Sequence, residues 1–197
     1  MSKPPTRERI LDAATDLFGL RGVEAVSLDV IAAEVGVAKQ TLLYWFPSKD
    51  DLVQAVLTAA AGELAIATEA AIRASGDDPL DRIEAVVRAV FRPAVRRPAL
   101  LGLIREVSRL SPAVSERFHG ALQPLVERAV VYLHKEMQHG RIRSADPRLI
   151  AALCYATVTG IATEPELLRS VGWQPTAADL RRLRTELLAF LRAALAP

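Results

Sequence analysis

The chain has 197 residues, 51% of them hydrophobic, enough to bury one sizeable core or to fuse a small domain to a larger one. Twenty-five basic and 23 acidic residues leave a net charge of +2, so bulk charge points to no partner class. A single cysteine, Cys154, excludes an internal disulfide and fits a reducing cytosol. The start, MSKPPTRERI, is polar and lacks a signal-peptide core. The nearly uncharged run from Leu149 to Thr163 falls short of the ~20 apolar residues that span a bilayer. A cytoplasmic protein with no membrane partner is therefore expected.

Residues 1–5, with Pro4 and Pro5, read as an arm. Thr6 opens a helix whose apolar stripe is Ile10, Leu11, Ala14, Leu17 and Phe18, and Gly22 ends it. Ser27, a favoured N-cap residue, opens a short helix that reaches about Val35. Gly36 follows it, where a helix end favours a residue that tolerates positive φ. The next helix runs from about Lys39 to Phe46, and Pro47 stops it. Two short helices around a glycine turn form the helix-turn-helix pattern, whose second helix enters a DNA major groove. Lys39, Gln40 and Thr41 crowd the first turn of that second helix, and Tyr44 follows one turn later. All four carry groups that bond base edges or phosphates. The competing reading of Tyr44 is packing against neighbouring helices, and that of the whole unit is an ordinary amphipathic hairpin.

Ser48 to Asp51 matches a capping box and starts a long helix carrying Leu52, Val53, Val56, Leu57, Ala60, Leu64 and Ala67. Asp78-Pro79, Ser111-Pro112 and Asp146-Pro147 then repeat one start signal, a cap residue followed by proline at the first helical position. The first opens a helix that Pro93 and Pro98 are expected to break, leading to a short helix with Leu101, Ile104 and Val107. The second opens a helix that Pro124 is expected to kink and Gly140 to end. The third opens a helix through Leu149, Leu153, Ala156 and Gly160. Thr176 to Asp179 is another capping box and begins the final helix, with Leu180, Leu183, Leu187, Phe190, Leu191 and Ala194. No strand pattern or internal repeat is visible. The fold class is all-α, about nine helices. A three-helix head over residues 1–50 precedes a larger helical body over residues 51–197.

The stretch from Arg7 to Leu52 resembles the tetracycline-repressor (TetR) family of bacterial transcriptional regulators. The resemblance rests on Ile10, Leu11, Ala13, Ala14, Leu17, Phe18, Gly22, Ser27, Ile31, Ala32, Gly36, Val37, Thr41, Leu42, Phe46, Ser48, Lys49 and Leu52. The rest of the chain is similar only in length and helical layout. Three positions depart from the family pattern. Leu43 stands where a phosphate-contacting Tyr is usual, Trp45 where His or Tyr is common, and Ala38 where Ser often caps the helix. The resemblance implies a repressor that binds a palindromic operator as a homodimer and responds to a small effector. It also implies that Lys49 contacts phosphate. Residues 1–50 hold six bases and seven acids, so placement rather than bulk charge must bring cations to the duplex.

The apolar breadth of the last two helices, about Asp146–Thr163 and Thr176–Ala194, marks them as the candidate dimer interface. The aliphatic faces between Pro79 and Thr163 favour a hydrophobic or amphipathic effector. Phe91, Arg105, His119, Tyr155 and Thr157 are the polar or aromatic residues beside those faces, and Arg105 suits an acidic ligand. Each is also readable as core edge or surface. No phosphate-binding glycine loop, nucleophile elbow or zinc-protease pattern is present, so no enzyme, cofactor or metal is expected. His134 and His139 lie five apart and share no helix face. The remaining alternative is a helical adaptor or ligand-binding protein without sequence-specific DNA binding.

Overall fold

The computed structural model describes residues 4–97, 99–107, 110, 112–163, 169–174 and 176–197. The expected cap Ser111, the expected stop Pro98 and the side chains of Leu101 and Ile104 lie outside the described residues. Among the described residues there are nine helices and no strand. The chain divides into two compact units, Met1–Gly62 with Pro98–Ala121, and Glu63–Arg97 with Leu122–Pro197.

The first unit begins with α1 (Thr6–Arg21), which ends at Gly22 with φ +83°. Helix α2 (Leu28–Val35) is capped by Ser27, whose hydroxyl accepts the Val30 N–H at 3.3 Å. It ends at Gly36 in the left-handed region, φ +72°. There a side chain would be strained, so glycine sets the turn into α3 (Lys39–Trp45). Helix α4 (Lys49–Ala74) starts on the expected capping box. Ser48 accepts the Asp51 N–H at 3.0 Å and donates to the Asp51 carboxylate at 2.7 Å. Ile10, Phe18, Ile31, Leu42, Leu52 and Val56 are buried together as the core of this unit. Val30 and Ala33, though apolar, face outward from α2. By length and composition alone α4 is apolar enough to cross a membrane. Its Leu52, Val53, Val56 and Leu57 are buried in this core instead.

Helices α6 (Ala99–Val107) and the start of α7 (Pro112–Gln138) complete the unit. Helices α1 and α6 cross at glycines. A Cβ built on Gly19 would lie 2.0 Å from the Ala99 carbonyl oxygen, and one on Gly102 would lie 1.9 Å from the Gly19 carbonyl oxygen. Next to this crossing the buried Glu106 carboxylate accepts the Val23 N–H at 3.0 Å. That bond supplies an acceptor to a donor that has lost water.

The second unit holds the rest of α4 and α7 with α5 (Pro79–Arg96), α8 (Pro147–Thr163) and α9 (Ala177–Leu195). Three starts use the expected caps. Asp78 accepts from Leu80 and Asp81, Asp146 from Arg148 and Leu149, and Thr176 from Asp179. Pro93 does not break α5, which runs on to Arg96. Proline's fixed φ is helical, and it costs a missing N–H and crowding one turn back. The Pro93 carbonyl still accepts the Arg97 N–H at 2.8 Å, closing the last turn. Helix α7 likewise continues through Pro124. Helices α5 and α9 are joined by Arg192, which pairs with Asp81 and, at 2.7 Å, with Glu84. Glu84 also holds Arg88 at 2.6 Å. Burial pushes the Glu84 carboxyl up, but its bonds to Arg88 and Arg192 outweigh that and hold it below its ordinary value. Leu180, Leu187, Leu188, Leu191 and Leu195 bury one broad side of α9. Burial also pushes the Cys154 thiol up, which disfavours its thiolate.

Candidate nucleic-acid interface

Helix α3 has only seven residues, too short to persist on its own propensity. Two side chains hold it. Leu42 is fully buried, and Phe46, its C-cap, is 4% exposed. Burying a side chain of that size contributes about 1.5–3 kcal/mol. With those anchors inward, the helical period turns Lys39, Gln40 and Thr41 to solvent. Tyr44 is 79% exposed, and its ring meets Trp45 edge-on at 5.3 Å between centroids. Tyr44 is therefore not a core residue.

The amino end of α3 has no side-chain cap, because Ala38 occupies that position. A polar ligand can take the place of the missing cap. The electrostatics of the face are local. The Lys39 ammonium lies 2.8 Å from the Asp29 carboxylate, both exposed. Lys49 sits at the start of α4, half-buried, with its ammonium 3.5 Å from the Glu24 carbonyl oxygen. Arg7 lies over the Phe46 ring at 5.4 Å, and Arg9 donates to the Val35 carbonyl. These two arginines of α1 thus brace the second and third helices, a role that linear spacing gave no signal for. The five candidates all belong to the first unit and come from two consecutive helices.

The five effector candidates are dispersed. Phe91 is 3% exposed in the second unit. Arg105 lines a cavity of about 290 Å³ with Leu20, Val23, Glu24 and Leu110 in the first unit. His119 is exposed on α7, its Nδ1 2.8 Å from the Ser115 carbonyl oxygen. Tyr155 and Thr157 are exposed on α8, and Thr157 donates back to the Leu153 carbonyl at 2.8 Å. A larger groove in the second unit, about 680 Å³, is lined by none of the five.

Residues 10–56 match the model of the bacterial regulatory proteins of the tetR family. Over 178 residues the chain is 27% identical to the HTH-type transcriptional regulator RutR of Escherichia coli K12, covering 89% of this chain and 80% of that one. Its fold is similar to that of a transcriptional regulator from Saccharomonospora viridis solved in complex with choline. The TM-score there is 0.81, with 21% identity over 97% of both chains. It is similar too to AibR solved with isovaleryl coenzyme A and operator DNA. That match has a TM-score of 0.75 and 18% identity, over 94% of this chain and 97% of AibR. These relatives and neighbours are regulators rather than enzymes.

Proposed function

We propose, from the premise that this chain is a transcriptional regulator of the tetR family, that it is a cytoplasmic homodimeric repressor of a palindromic operator. Each protomer reads one half-site with α3. Lys39, Gln40, Thr41 and Tyr44 reach base edges or the groove walls, and Lys49 holds a phosphate. The single observation that carries this reading is the division of α3. Its apolar anchors Leu42 and Phe46 are buried while all four candidate readers are exposed. Tyr44 on the open face offers the hydroxyl that Leu43, half-buried, lacks at the neighbouring position.

Dimerisation through α8 and α9 draws support from apolar residues left uncovered in one protomer. Leu149 and Leu153 on α8 are 57% and 55% exposed, and Phe190 on α9 is 66% exposed. Leucines and phenylalanines at that exposure form the patches that two-fold interfaces cover. Residues beyond about 50 also bind the effector, a small hydrophobic or amphipathic molecule. AibR, a match over 94% of this chain, was solved with isovaleryl coenzyme A, whose acyl group and charged carrier make it amphipathic; the regulator solved with choline, a small polar cation, supports small-molecule binding in general.

Selection of genomic fragments by the purified protein tests the operator. Enrichment of one palindrome is expected, and enrichment of none rejects the reading. Sedimentation at micromolar concentration tests the assembly, with a dimer expected and a monomer rejecting it.

A further inference from the structure

The second unit carries an open groove of about 680 Å³ that the DNA-reading function leaves unused. Its floor is built of alanines from two helices. Ala67, Ala70, Ala71 and Ala74 recur at three- and four-residue spacing on α4, and Ala85 and Ala89 do so on α5. Small side chains on facing helices leave a trough with apolar walls. Its rim is cationic. Arg88, Arg92 and Arg96 line it from α5, and Arg181 and Arg184 line it from α9. No carboxylate is among its lining residues.

This charge arrangement works against the fold. Arg88, Arg92 and Arg96 are spaced four apart, and like charges at that spacing destabilise a helix. Arg181 and Arg184, three apart on α9, repeat the cost. Glu84 neutralises Arg88. Arg92, Arg96, Arg181 and Arg184 have no ion-pair partner among the described residues. The dipole of α5 accounts for Arg96 in its last turn, but not for the other three. An anion in the groove would relieve the repulsion, and guanidinium groups hold phosphate and carboxylate oxygens by paired bonds.

We propose that this groove binds an amphipathic anion, a small molecule whose apolar chain lies on the alanine floor and whose phosphorylated head is held by the arginine rim. The volume falls within the range of small-molecule sites. An apolar floor beneath a charged rim matches one ligand with both parts, where bare phosphate would leave the floor uncovered. Only the consequence for DNA rests on the effector reading above; the binding itself stands on the groove.

Calorimetry on the full-length protein tests it, with dodecyl phosphate below its micelle threshold as the probe. Dodecyl phosphate should bind, and inorganic phosphate and dodecyltrimethylammonium should bind at least about tenfold more weakly, one lacking the chain and the other the charge. The double variants Arg92→Gln with Arg96→Gln, both exposed, and Arg181→Gln with Arg184→Gln, exposed and half-buried, should each weaken binding about tenfold or more. Arg128→Gln, on an exposed arginine outside the groove, should leave it unchanged. Equal binding of dodecyl and inorganic phosphate would overturn the proposal, as would unaltered affinity in both double variants. Loss of random-sequence duplex binding in those variants, with no dodecyl phosphate binding, would overturn it in favour of a nucleic-acid contact. If dodecyl phosphate binds as expected but leaves operator affinity unchanged, the groove assignment is supported and the effector reading fails.

Discussion

Replacing Gly19 with alanine tests the crossing of α1 and α6. In an open helix this change would stabilise by up to about 1 kcal/mol, because alanine has the higher propensity. Here the new methyl would lie 2.0 Å from the Ala99 carbonyl oxygen and 2.6 Å from its carbon. Ordinary contact begins at about 3.4 Å, so α6 must retreat by more than 1 Å along a line set by backbone on both sides. Overpacking of this kind costs about 1–3 kcal/mol, and backbone cannot rotate aside as a side chain does. The net expectation is a loss of about 1–2 kcal/mol. For a domain of this size that lowers Tm by roughly 2–8 °C. Gly102→Ala meets the Gly19 carbonyl at 1.9 Å and should cost a similar amount. The double variant should cost less than the sum, since one separation relieves both contacts. Gly62→Ala, with nothing within 4 Å of its new methyl, should raise Tm instead. Thermal and urea unfolding of the four variants measures these effects. Unchanged stability of Gly19→Ala, or equal losses at Gly19 and Gly62, would refute the close crossing.

Asp29→Asn should tighten DNA binding by a few fold and steepen its salt dependence, because it frees Lys39 and removes a negative charge from the reading face. An exposed pair of this kind contributes at most about 1 kcal/mol, so unfolding should barely change; weaker DNA binding would mean that Asp29 orients Lys39 instead. Lys49→Ala should weaken all duplexes alike and reduce the slope of log affinity against log salt by about one, whereas a sequence-dependent loss would assign Lys49 to base reading. Glu84 is held below its ordinary value in the fold, so its stabilisation is full above the unfolded carboxylate range and is lost as pH falls through the folded value. Glu84→Gln should therefore destabilise at pH 7 and flatten the loss of stability below about pH 4. An unaltered acid profile would show that the α5–α9 pairing contributes nothing.

The parts of this molecule legible in the sequence are those that short-range chemistry decides. Ser27, Ser48, Asp78, Asp146 and Thr176 each cap the helix that spacing assigned to them. Gly36 turns α2 into α3 as its position required. The exposure of Lys39, Gln40, Thr41 and Tyr44 follows from placing Leu42 and Phe46 inward, although the run LLYWF does not itself say which of its apolar residues are buried. Long-range encounters left no local trace. Nothing in GLRGV or LLGLI announces that Gly19 and Gly102 meet, and the Glu106 bond to Val23 spans 83 residues. The arginine groove gathers side chains from three separate helices, each of which reads alone as an ordinary solvated face. Pro93 misled because proline disfavours a helix interior locally, while packing of the surrounding turns keeps α5 intact.

If α3 reads sequence, its exposed Gln40 must discriminate between bases. The most direct test is a titration of the selected operator and its single base-pair variants with wild type and with Gln40→Ala. The variant should lose about 1–3 kcal/mol on the operator, with discrimination collapsing at one base pair in each half-site and preserved elsewhere. An equal loss on every variant, or no loss at all, would contradict sequence reading by α3.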